Sequence, residues 1–327
     1  TDDVVKYIRF ADPVVEQICA TNWGNGTGIT SEQAAAVTTL GTSFKGDTDI
    51  TSFNELKHFA GLNNLSRAFD GDTALASAEL APNLTLNGGA ECAFQNCPLS
   101  HFVAPNLKIK GRAVGMFYGA GHGGVLDLSS WDVSEAGDMR GWNNGIFMNS
   151  NFDEINISGW SFYKDQISTT NSNGGSAFNS CKAKRIIMTG VTAALEGLGS
   201  LFANCTELEE VVGFSDIDFS TVIAIPSLIG STNIKHWDFS RNNFVGLTSM
   251  ERAFGSTPNV ESFNFGDYGF GKNATTWYVW LHYGSNYQLR KCYGHLDASG
   301  ATASFPAFNN ATLIRRIELR GLGTHAN

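Results

Sequence analysis

Histidines, cysteines and clustered carboxylates are where catalysis or metal binding would show, and each set is arranged here in a way that argues against both. The seven histidines, at 58, 101, 122, 236, 282, 295 and 325, include no pair four apart of the kind that sets two imidazoles on one helical face to hold zinc. The six cysteines, at 19, 92, 97, 181, 205 and 292, form no C-x-x-C pair and are too sparse for a disulfide framework. They read as small buried hydrophobes. The glycine-rich run GAGHGG (119–124) lacks the Gly-Lys-Ser/Thr of a phosphate-binding loop and reads as a wide turn; no G-x-S-x-G elbow occurs. Glu207, Glu209 and Glu210 read as a solvated face. Loop 22–33 has the outline of an EF-hand, with Asn22 at the first ligand position, but Gly24 and Gly26 stand where carboxylates or amides are needed and Gln33 where a bidentate Glu is needed. The residues therefore predict no enzyme, no metal site and no cofactor.

Composition narrows the partners. A net charge of −9 speaks against a nucleic-acid partner, and no apolar stretch is long enough to span a bilayer. The opening residues show neither the apolar run nor the cleavage site of a signal peptide. Charged residues are only 16% of the chain, while glycine (36) and phenylalanine (23) are abundant. That balance points to many short strands and turns around buried rings, because surface helices carry more Lys and Glu.

The elements that position everything else are repeats. Aligned on the apolar residue before each turn, the chain has anchors at Phe44, Phe69, Phe94, Phe117, Phe147, Phe178, Phe202, Ile229, Phe254, Leu281 and Phe308. Their spacings are 25, 25, 23, 30, 31, 24, 27, 25, 27 and 27 residues. Beyond each anchor, apolar residues recur two apart, as in Ile155/Ile157, Trp237/Phe239, Phe263/Phe265 and Ile317/Leu319, the period of a strand with one buried face. Another apolar residue often stands four before the anchor: Leu65, Leu198, Ile225, Met250, Trp277. One coil cannot bury such a face alone, so the coils must stack. Three residues after the anchor, Cys97, Cys181 and Cys205 form a second ladder of small side chains fitting a tight turn. Seven N-x-S/T triplets occur, some of them in the turn ladder where a glycan would clash.

FANCTELEEV (202–211), FQNCPLSHF (94–102) and LDLSSWDVSEAGDM (126–139) resemble the BspA-type leucine-rich repeats of bacterial surface proteins, and HWDFSRNNFVGLTSM (236–250) echoes the third of these. The opening ADPVVEQICATNWGNGTGITSEQAAAV resembles a leader that precedes such repeats in gut Bacteroidetes and their phages. The resemblance covers nearly the whole chain, with Ile229 and Leu281 departing from the family's Phe. It implies a solenoid displayed on a cell or virion exterior, usually for adhesion, and names no ligand.

The expected fold is thus an α/β repeat of mostly short strands and turns: a leucine-rich-repeat solenoid of about eleven coils over 44–327, with a small helical N-terminal cap over 1–43. Asp12-Pro13 predicts a helix start, and Thr30 with Gln33 a capping box on a second helix. Both helices would cover the open end of the first coil, as terminal units of solenoids must.

Two aromatic groups stand out as ligand-binding candidates. The long repeats 117–147 and 147–178 should shed their extra residues as loops, and they carry Trp142, Trp160 and Tyr163. Segment 275–295 carries Trp277, Tyr278, Trp280, Tyr283 and Tyr287, about half of which alternation would turn outward, suiting sugar rings or a protein hot spot. Arg316, Glu318 and Arg320 alternate with Ile317 and Leu319 on a last coil that carries no separate cap, which points to docking on another chain or to a homo-oligomer through that coil. The predicted function is a non-enzymatic recognition or adhesion protein on the extracellular face of a bacterial cell or phage virion, binding a host glycan or protein. The alternative is a structural virion component whose solenoid contacts other subunits.

Overall fold

A computed structural model describes residues 5–171, 175–277 and 288–302, together with the backbone of 316–320. They form a parallel β-solenoid of about eight turns with little helix. One face is a ladder of short strands in three runs. The first joins Ser52–Phe53, Ser77–Glu79 and His101–Val103; the second joins Val125–Asp127, Glu154–Asn156, Arg185–Ile187 and Glu210–Val212. The third joins His236–Asp238, Ser262–Asn264, Lys291–His295 and Arg316–Arg320, and every pairing is parallel. Register places like on like: Leu126, Ile155, Ile186 and Val211 stand in one row, the first three fully buried.

Behind the strands the anchor phenylalanines form a spine. Phe69 and Phe94 stack at 5.1 Å, Phe117 and Phe147 at 6.0 Å, and Phe147 and Phe178 at 5.0 Å between ring centroids. Each ring meets its counterpart one coil away because the repeat places it there, and each is buried. The turn around the anchor uses residues in the left-handed region on both sides, such as Arg67 and Gly71 around Phe69, and Cys92 and Asn96 around Phe94. That alternation turns successive alternate N–H groups the same way. Arg67, Phe69 and Gly71 donate to the carbonyls of Glu91, Ala93 and Gln95, and Cys92, Phe94 and Asn96 to those of Val114, Met116 and Tyr118.

The ladder three residues past the anchor is broader than its cysteines. It runs Asp47, Asp72, Cys97, Ala120, Ser150, Cys181, Cys205, Thr232 and Thr257. The Cys97 thiol donates to the carbonyl of Phe69 at 3.1 Å and the Cys205 thiol to that of Phe178 at 3.0 Å, so each tacks its turn to the preceding anchor. Burial pushes both thiols well above the ordinary range, as expected of structural groups.

At the N-terminal side, helix α1 (Pro13–Asn22) and helix α2 (Ser31–Ala35) are both side-chain capped. Asp12 Oδ1 accepts from the N–H groups of Val14 and Val15, while its Oδ2 accepts from the N–H and hydroxyl of Thr51 at 2.8 and 3.1 Å. One carboxylate thereby caps α1 and ties it to the first coil. Burial alone would raise its pKa, but these hydrogen bonds outweigh it and hold Asp12 below the ordinary carboxylate value. The loop between the helices is closed by Asn25, whose Oδ1 accepts from Thr27 and Gly28 and whose Nδ2 donates to Tyr7. Gln33 is engaged in the Thr30 capping box rather than aimed into that loop.

The two long coils differ from expectation. Their extra residues are only partly looped out: Ser161–Lys164 is a strand paired in parallel with Thr192–Leu195, a second ladder on the return side. Residues 138–146 do form a loop, held tight by glycine. A Cβ on Gly175 would sit 1.2 Å from the carbonyl oxygen of Gly141, so only glycine permits the crossing.

Candidate binding cleft

This crossing walls a cleft of about 690 Å³ against the edge of the solenoid. Its lining combines Trp142 with Glu91, Arg112, Asp138, Arg140 and Asp165, and with Thr169 to Asn171 beyond them. Trp142 is 69% exposed on its loop, the most exposed large hydrophobic residue among those described. Asp138 fixes the loop's first turn by accepting from the N–H groups of Arg140 and Gly141.

The charged wall is a ladder in its own right. Lys45 faces Asp70 at 3.2 Å, Arg67 lies between Asp70 and Glu91, and Arg112 bonds Glu91 at 2.9 Å and approaches Asp138 at 4.0 Å. Arg140 then lies 3.6 Å from Asp138 and pairs with Asp165. Acid and base thus alternate from coil to coil, and the later members, from Glu91 to Asp165, line the cleft and hold each other in place. The pairs are exposed enough that each contributes only about 0–1 kcal/mol to stability. Their effect is to order planar hydrogen-bonding groups. Four carboxylates, including Glu196, line the space against two guanidiniums, leaving it net acidic.

Tyr163, 41% exposed, lines a smaller adjoining cavity of about 120 Å³ whose walls include the same Asp138, Arg140 and Asp165. Its hydroxyl donates to the carbonyl of Ala136 at 3.2 Å. Trp142 and Tyr163 therefore line neighbouring cavities that share Asp138, Arg140 and Asp165.

Trp160 is not. It is 1% exposed, stacked 6.2 Å from Trp131, and its indole N–H donates to the Leu128 carbonyl at 2.8 Å. Trp131 makes the matching bond to Ala104, so Trp160 is the next rung of a structural tryptophan ladder and cannot meet a ligand. Trp277 is likewise buried, at 2%; its N–H donates to Ala274 and its ring occupies the space a side chain on Gly271 would need. Tyr278, Trp280, Tyr283 and Tyr287 lie outside the described residues.

Sequence reasoning missed the charged wall. Its signal was present as Arg67, Glu91 and Arg112, charges two to five residues before successive anchors, visible once coils are written one below another. Among the described residues no set of three or more His, Cys, Asp or Glu could hold a metal ion, and no helix is long and apolar enough to cross a membrane. Comparison with known proteins adds no relative: no family model matches the chain, and no curated protein matches it.

Proposed function

We propose that this chain is a non-enzymatic recognition protein of the BspA leucine-rich-repeat type, exposed on a bacterial cell or phage particle, which binds a host glycan in the cleft at Trp142. The observation that carries the reading is an exposed indole beside ordered, planar polar groups. A pyranose ring lays its C–H face on an indole while its hydroxyls bond carboxylates, guanidiniums and amides at the edge. The net acidic lining favours a neutral sugar over a sialylated or sulfated one. The proposed solenoid has eleven coils. One coil belongs to each anchor: the nine described ones, Phe44 to Phe254, bound about eight turns, and Leu281 and Phe308 lie outside the described residues.

The test is a glycan array run beside light scattering, on the chain and on Trp142→Ala. Binding of particular neutral glycans that is lost in the variant supports the reading. A symmetric oligomer with no glycan signal sinks it and favours a structural virion subunit.

A further inference from the structure

A second cavity, of about 330 Å³, lies between the turns 241–245 and 268–272 and shares no lining residue with the cleft at Trp142. Its apolar surface comes from Phe244, Val245 (45% exposed) and the ring of Tyr268. That ring is fixed, since its hydroxyl donates to the carbonyl of Phe239 at 3.1 Å. Two cations line the same space. Arg241 bonds Asp216 at 2.8 Å and Ser215 at 3.0 Å through one nitrogen, and a guanidinium has further N–H groups to offer. Lys272 is exposed and belongs to no ion pair among the described residues, Asp297 being an acidic neighbour at longer range. The fourth component is Asn242, 1% exposed. Its Nδ2 donates to the carbonyls of Phe214 and Ile217 at 2.8 and 2.9 Å, while its buried Oδ1 has no hydrogen-bond partner among the described residues. Those two bonds fix the turn that carries Arg241 and Phe244 at the wall of the cavity.

The structure assigns this cavity to a small organic carboxylate that carries an apolar-faced ring. The ring lies against Val245 and Tyr268, and the carboxylate between Lys272 and Arg241. N-acylated sugar acids and aryl carboxylates share this chemistry. It is opposite in charge preference to the cleft at Trp142, so the chain would read two different features of its surroundings.

Isothermal titration with N-acetylneuraminic acid and with indole-3-carboxylate, each beside its methyl ester, tests the assignment. One acid should bind about tenfold or more tighter than its ester, the loss expected for a charge-assisted hydrogen bond. Lys272→Gln should weaken that acid by a similar factor, Val245→Asp should abolish binding, and Trp142→Ala should leave it unchanged, with circular dichroism melts showing all three folded. The acid that binds identifies the source. Equal binding of acid and ester, no binding of either acid, or an affinity indifferent to Lys272→Gln overturns the assignment without touching the glycan reading.

Discussion

Replacing Asp72 by Asn should make the solenoid more stable at pH 8 and change little at pH 4. Asp72 is fully buried in the ladder whose later rungs are Cys, Ala, Ser and Thr. Its Oδ1 accepts from the N–H of Asp47 at 3.1 Å, and its Oδ2 has no partner among the described residues. Burial pushes the carboxyl from its ordinary 3.8 up to about 7, against the opposing hydrogen bonds from Asp47 and Gly46. The folded chain therefore holds this proton over a range where the unfolded chain has released it. With the native state binding more protons, stability falls as pH rises. The loss begins near the unfolded value and is complete once pH passes the folded one. A shift of about three units corresponds to about 4 kcal/mol, of which roughly 2.5 falls between pH 5 and pH 8. Asparagine keeps the acceptor for Asp47 and removes the ionisation. Urea unfolding of both proteins at pH 4, 5, 6, 7 and 8, with amide exchange following residues 69–94, measures the difference. The gap should widen steadily from pH 5 to pH 8 in favour of the variant. A gap that stays constant, or that widens in favour of Asp72, refutes the buried-carboxyl argument.

Three further outcomes follow from the geometry. Trp142→Ala should leave the melting temperature unchanged, whereas Trp160→Ala should cost about 3–5 kcal/mol through a core cavity, both read by denaturant titration. Asp12→Ala removes the α1 cap and two bonds to Thr51, at a cost of about 2–3 kcal/mol near neutral pH. Because Asp12 is held below its ordinary value, that stabilisation is full above the unfolded pKa and is lost as pH falls through the folded one; a variant equally destabilised at pH 2 and pH 7 would contradict this. Gly175→Ala drives a methyl group into the Gly141 carbonyl, so the loop carrying Trp142 must move and glycan affinity should fall about tenfold or more, with the far coils unaffected in amide exchange.

The solenoid was legible because its signal repeats. Phe69, Phe94, Phe117 and Phe147 recur at coil spacing, and burial follows from that spacing alone. The positions four before the anchor, from Leu65 to Trp277, were legible for the same reason. Trp160 was misread because the extra length of its coil suggested an excursion. Yet ISGWSF (157–162) aligns with LSSWDV (128–133), which puts Trp160 on the rung next to the buried Trp131. The cleft was illegible in a one-coil view. Arg112 meets Glu91 and Asp138 only when coils more than twenty residues apart are stacked, and Gly141 and Gly175 touch only across such a step. Asp72 escaped notice because its rung was defined by cysteine, and a carboxylate there does not look like a small hydrophobe until its burial is known.

The turns around the anchors carry one more consequence. On a parallel strand ladder, neighbouring peptide groups alternate and their dipoles largely cancel. Around the anchors, Arg67, Phe69 and Gly71 all donate forward to the next coil, as do Cys92, Phe94 and Asn96, and as do Leu198, Ser200, Phe202 and Asn204 further along. The peptide dipoles on this edge therefore add head to tail, as they do in a helix. On this edge the positive ends point toward the later coils. Just past the anchors the sense reverses: His122, Lys182 and Asn233 donate backward to Leu99, Ser150 and Leu208. The two columns of dipoles run antiparallel within one solenoid, so each coil is clasped from both sides while the opposed dipoles offset one another along the axis.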